Sequence, residues 1–259
     1  VKSASNISDL AHRQRIAPLG WVLIACRIAL LLACVVTCVP LYYLCLPFTA
    51  ANPAPRLFLR LVAAVVGLRL KTTGEHPAPS AFFLANHVSW LDIPAIAGVT
   101  GSAFVAHDGL ASIGPLRWLC AMNDTVFIAR HDRRSVAAQV HQVREALHDT
   151  GALTIFPEGT TGDGTQLLPF KSSLLSAIDA DTEHVPVQPV WLDYGPRVQD
   201  VAWVGSEPGL ANAMKILARW RPIPLTIHFL PPLLGEERTD RKAIARAARA
   251  RIDAVMQKD

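Results

Sequence analysis

Apolar residues run without a charged interruption from Ile28 to Phe48, IALLLACVVTCVPLYYLCLPF, a stretch of 21 residues. As a helix this stretch would extend about 31 Å, enough for a hydrocarbon core, with Pro40 as a kink and Pro47 near its end. A second apolar stretch, Leu57 to Leu70, is interrupted by Arg60 and Arg69. At about 21 Å of helix it is too short to cross alone. Lys2, Arg13, Arg15 and Arg27 flank the first segment on one side, and Arg56, Arg60, Arg69 and Lys71 on the other. Such balanced charge gives no orientation and predicts a re-entrant or interfacial helical pair with both ends in the cytosol. The alternative is one spanning helix followed by an amphipathic helix packed on the domain. A cleaved leader is disfavoured, because no small-residue cleavage site follows the run.

After Gly74 the pattern changes. Residues 81–86, 102–107, 125–130, 151–159, 185–192 and 225–232 read as strands. Residues 134–149 read as an amphipathic helix, with Val136, Val140, Val143 and Leu147 at helical spacing, and 239–257 as a basic helix capped by Thr239 or Asp240. The prolines of VPVQPVWL predict an edge strand or a short element. Strands separated by helices predict an α/β domain, a mixed sheet flanked by helices, over residues 76–259. Residues 1–75 are then the anchoring helices.

Composition supports that division. The chain is 51% hydrophobic and only 18% charged, too apolar for an ordinary soluble domain and too polar for a bundle of spans. Its net charge of +4 suits an anionic membrane surface or acidic substrates. No basic block, aromatic-basic interleaving or zinc-finger spacing points to nucleic acid. Cys26, Cys34, Cys38 and Cys45 lie in or beside the apolar segment, as small hydrophobes rather than a disulfide framework.

The most informative segment is Asn86-His87-Val88-Ser89-Trp90-Leu91-Asp92, where a buried strand ends. Residues five apart cannot share a face of one helix, since five steps leave about 140° between them. They meet if His87 lies in the turn before a helix and Asp92 in its first turn. The carboxylate would then accept the Nδ1 proton and leave Nε2 free to take a proton from a hydroxyl. Phe156-Pro157-Glu158-Gly159-Thr160 also follows a strand, so both motifs could face one crevice at the strands' carboxyl ends. Arg130 closes a third strand and Lys171 offers another cation for an anionic group. There is no G-x-S-x-G for a serine hydrolase and no H-E-x-x-H for a metalloenzyme. A catalytically dead lipid-binding protein would have no use for a base with its orienting carboxylate.

Four ordered blocks, NHVSWLD, GLASIGPLRWL with VFIAR, FPEGT and VPVQPV, resemble those of the glycerolipid acyltransferases, over about residues 55–235. This family includes the bacterial 1-acylglycerol-3-phosphate acyltransferases. The resemblance implies a membrane-associated helical pair, an α/β domain without metal or cofactor, and attack of a lysolipid hydroxyl on an acyl-CoA or acyl-carrier-protein thioester. It implies His87 as base, Asp92 as its partner, and Arg130 with Glu158, Gly159 and Thr160 at the acceptor; Lys171, read from its charge alone, is expected to join them there. The expected location is the bacterial inner membrane, among membrane lipids, with the domain on the cytosolic side. Two positions depart from the pattern. His107 stands where the family often has a lysine before its second block, and Thr161 where it often has an arginine after glutamate-glycine-threonine. Both remove a cation near the expected phosphate, so 1-acylglycerol-3-phosphate, giving phosphatidic acid, is the acceptor expected first and lyso-ornithine lipid the alternative.

Overall fold

The computed structural model describes residues 16–49, 52–78, 80–107, 114–123, 125–128, 145–175, 178 and 184–258. Helix α1, Pro18–Cys45, is 28 residues long and runs through Pro40. It begins ten residues before the uncharged stretch, and Arg27 within that extension meets the domain. The guanidinium Nη1 donates to the carbonyls of Ile216 at 3.2 Å and Leu217 at 3.0 Å, the end of a domain helix. With a mean hydropathy of 2.7 in its most apolar window, α1 is long and apolar enough to cross a membrane.

Helix α2, Pro53–Val65, starts on Asn52, whose side chain accepts from Ala54 N at 3.0 Å. It is shorter than the apolar stretch suggested. Gly67, at φ 88°, turns the chain out of the helix, and strand β1, Leu68–Gly74, follows. Hydropathy merged helix and strand here because apolar residues continue across the turn.

The other elements are β2 (Ala81–Ala85), α3 (Asp92–Thr100), β3 (Ala103–His107), α4 (Gly114–Met122) and β4 (Val126–Ile128). They continue with β5 (Ala152–Ile155), β6 (Val187–Asp193), α5 (Gly209–Leu217), β7 (Ile223–Phe229) and α6 (Arg241–Met256). One mixed sheet has the order β1-β7-β6-β2-β5-β3-β4. Neighbours are parallel except β6 and β7. Strands β2 to β6 therefore run one way and end at one edge. All six proposed strands occur, though β6 is not at an edge. Pro189 is tolerated inside the sheet because the antiparallel ladder to β7 begins only at Val190. Its carbonyl accepts from Leu230 N at 3.0 Å, just beyond β7, where its missing N–H interrupts no ladder. Asp240 caps α6, accepting from Lys242 N and Ala243 N at 2.6 and 2.9 Å. Of the helix expected over 134–149, residues 145–149 are helical and the rest lie outside the described residues.

Strand β2 is buried on both faces, as its uninterrupted AFFLA requires. Phe83 packs toward α1, α3 and α5, and Phe82 and Leu84 toward α6. At the end of β2, Asn86 acts as one more rung. Its Nδ2 donates to Leu192 O at 3.2 Å and its Oδ1 accepts from Leu192 N at 2.7 Å, all buried. Asn86→Ala should cost about 2–4 kcal/mol, since it strands a buried N–H and C=O. Urea denaturation in detergent checks this, and a loss well below 1 kcal/mol would contradict the bridging role.

Candidate active site

His87 lies in the turn after β2, and Asp92 opens α3. Their side chains meet, Nδ1 to Oδ2, at 2.8 Å. The same Oδ2 accepts from the main-chain N–H of Val88 at 2.7 Å and of Ser89 at 2.9 Å. Oδ1 accepts from the hydroxyl of Tyr194 at 2.5 Å. Every neighbour of this fully buried carboxylate is a donor, so Asp92 is the acceptor and the imidazole proton resides on Nδ1. The His87 side chain is 17% exposed, and no described residue bonds Nε2. That nitrogen is free to take a proton from a bound hydroxyl.

The FPEGT turn follows β5 at the same edge of the sheet. Phe156 stacks on the His87 ring at 4.1 Å and 15°, fixing its plane. Glu158 is buried, and its oxygens are occupied by main-chain donors, His87 N at 3.0 Å and Leu168 N at 3.1 Å. Gly159 sits at φ 67°, and a Cβ there would stand 3.2 Å from Lys171 Nζ. Lys171 donates its main-chain N–H to Pro157 O at 2.8 Å. Thr160 is exposed. Thr161 donates its hydroxyl to Trp203 O, and Trp203 N donates to Val88 O at 2.9 Å. Arg130 lies outside the described residues. The structure thus brings His87, Asp92, Glu158, Gly159 and Lys171 to one edge. Phe156 was quoted in its motif but not singled out, although an aromatic residue beside the candidate histidine is a readable signal. Tyr194, beyond the last matched block, gave none.

An apolar cavity of about 590 Å³ opens beside this edge, between helices α1 and α2 and the domain. Leu31, Tyr42 and Phe58 line it from α1 and α2, and Trp90, Ile93, Phe104 and Ala213 from the domain. Trp90 and Ile93 bracket Asp92 in sequence, and Phe104 stacks on Phe156 at 6.0 Å, so the cavity adjoins the His87–Asp92 pair. Among the described residues no group of three metal-ligating side chains occurs.

A family model described as Acyltransferase matches residues 69–193. A lyso-ornithine lipid O-acyltransferase of Brucella abortus is 30% identical, covering 92% of this chain and 96% of its own length. A second, from Rhodobacter capsulatus, is 32% identical over 74% of this chain and 72% of its own length. The chain belongs to the acyltransferase family. A 1-acyl-sn-glycerol-3-phosphate acyltransferase of Neisseria gonorrhoeae is likewise 32% identical, over 77% of this acyltransferase and 78% of itself. The crystal structure of PlsC, the 1-acyl-sn-glycerophosphate acyltransferase of Thermotoga maritima, shares the fold at TM-score 0.56. It is 20% identical and covers 79% of this chain and 77% of that one.

Burial pushes the Glu158 carboxyl up to about 7, a rise that Asp92's charge adds to and the two N–H donors and His87 oppose. Its folded value lies above the ordinary 4.5. The stability it contributes is thus complete below about pH 4.5 and is lost as pH rises through about 7. The loss is about 3 kcal/mol in order of magnitude. Glu158→Gln should abolish this dependence. Parallel stability-versus-pH curves for wild type and variant, from pH 4.5 to 8, would contradict it.

Proposed function

We propose that this acyltransferase moves a fatty acyl chain from a thioester donor, acyl-CoA or acyl-carrier protein, to the free hydroxyl of a lysolipid. The observation carrying this reading is the His87–Asp92 pair beside an apolar cavity. His87 Nε2 takes the hydroxyl proton as the oxygen attacks the thioester carbonyl, and returns it to the departing thiol. Asp92 stabilises the imidazolium between those steps. The cavity receives the acyl chain, and α1 and α2 carry the protein on the membrane. Glu158 serves the acceptor site through the two loops that it joins, and Gly159, Thr160 and Lys171 border it.

For the head group, lyso-ornithine lipid is the better supported reading. Thr161 supplies no cation, and its hydroxyl is engaged with Trp203. The Brucella relative, matched nearly end to end, bears that name. The second reading, 1-acylglycerol-3-phosphate giving phosphatidic acid, is favoured by the ammonium of Lys171 against Gly159, with Arg130 as its expected second cation. Purified protein assayed with both lysolipids decides between them. Faster turnover of the phosphate lipid, and its severe loss in Arg130→Ala, would reverse the preference.

We further propose the bacterial inner membrane as the location, with the α/β domain facing the cytosol. The anchor would occupy residues 1–75 and the catalytic domain 76–259, with β1 joining them. Cysteines introduced near residues 10 and 75 should label from the same side for a re-entrant pair, and from opposite sides for a single span.

His87→Ala should lower turnover by at least about 10² while the protein stays folded and membrane-bound. Wild-type turnover in that variant would sink the mechanism. Ala213→Trp, which fills part of the cavity, should shift preference toward shorter acyl donors. An unchanged chain-length profile would remove the cavity from the acyl path.

A further inference from the structure

Tyr194 is the residue immediately after β6, brought to Asp92 across 102 residues of sequence. It is 2% exposed, and its phenol donates to Asp92 Oδ1 at 2.5 Å. The other three donors to Asp92 all go to Oδ2. The two carboxylate oxygens are thus served unequally, and Oδ1 takes its one described hydrogen bond from a side chain on another strand. Burial, reinforced by the charge of Asp92, holds the phenol's pKa well above its ordinary value, so it remains a donor at working pH.

We propose that Tyr194 is a positioning residue of the His87–Asp92 pair, setting how much negative charge Asp92 presents to the imidazolium. This rests on His87 being the base. The phenol draws charge toward Oδ1, and both Asp92 and Tyr194 are buried from solvent. Without the hydroxyl the carboxylate is less satisfied and holds the imidazolium more tightly. His87 would then need a higher pH to become a base. The groups facing the pair are Glu158 from the turn after β5 and Tyr194 from the end of β6. Lys171 Nζ lies 3.2 Å from where a Cβ on Gly159 would stand. Glu158 itself titrates near 7 and must be separated from the effect.

The test is the pH profile of turnover for wild type and Tyr194→Phe, measured in detergent with one lysolipid and one thioester donor. The acid limb should move up by roughly 0.5–1 pH unit, so that a deficit of about three- to tenfold at low pH closes on the alkaline plateau. KM for both substrates should hold, since Tyr194 contacts Asp92 and not the acyl cavity. The shift should persist in a Glu158→Gln background, where that carboxyl no longer titrates. Incorporating 3-fluorotyrosine at position 194 keeps the shape but strengthens the donor, and should move the limb down. This arm decides the matter if Tyr194→Phe does not fold. A uniform loss at every pH, or a limb that stays in place with either substitution, overturns the proposal. His87→Ala is assayed alongside. If it retains turnover, the base assignment fails. If it loses turnover while the Tyr194 limb is unmoved, only the role of Tyr194 fails.

Discussion

One buried anion organises the active edge of this protein. A carboxylate removed from water is costly unless its lone pairs are met by donors, and Asp92 meets four. Two come from the main chain of the turn just before it, one from His87 and one from Tyr194. Satisfying the anion therefore fixes the turn after β2, the start of α3 and the end of β6 together. The histidine tautomer follows from the same arrangement. With every other contact to Asp92 a donor, Nδ1 must carry its proton and Nε2 is left as the basic nitrogen. Glu158 makes a second knot of the same kind, tying His87 N and Leu168 N to the turn after β5. The geometry of the His87–Asp92 pair and the burial of charge are here a single constraint.

Helices α1 and α2 are fastened to the domain by helix ends. Arg27 of α1 donates to the last carbonyls of α5, and Arg56 of α2 to Gly98 O and Val99 O at the end of α3. Such carbonyls lack partners within their own helix and carry the negative end of its dipole, so a guanidinium there gains about 0.3–1 kcal/mol. Gly98 permits the close crossing, since a Cβ there would stand 3.0 Å from Arg60 Cγ. The two arginines that looked like topological flags in the sequence are thus spent on docking. Their loss as flags leaves the membrane orientation less constrained than a simple charge count suggests.

What the sequence disclosed, and what it withheld, has a physical logic. Local order was readable: β2 from an uninterrupted apolar run, α6 from its period and the Asp240 cap, and the meeting of His87 with Asp92 from a five-residue spacing that excludes one helix. Parallel strands sharing an edge explain why motifs far apart in sequence converge. Neighbourhoods in the sheet were less readable. Pro189 looked like an edge marker because the sequence does not state where the ladder to β7 begins. β1 was hidden because hydropathy does not register the left-handed turn at Gly67. Tyr194 belongs to the same class: its role exists only through a contact across 102 residues. Arg130, the remaining cation of the sequence motif, lies outside the described residues.

The position of the cavity gives these pieces a common purpose. A fatty acyl chain is costly to expose, at about 0.8 kcal/mol for each methylene returned to water. A transferase working at a bilayer gains by keeping that chain among apolar side chains while a polar head meets a base. Here α1 and α2 form one wall of the cavity, the domain forms the other, and Trp90 and Ile93 connect it to the turn that carries Asp92. The wall that associates with lipid is also the wall that would hold the chain. Docking of α1 and α2 by Arg27 and Arg56 is then part of building the proposed acyl site. A domain cut away from α1 and α2 would lose that wall of the cavity, even if the sheet and the His87–Asp92 pair survived intact.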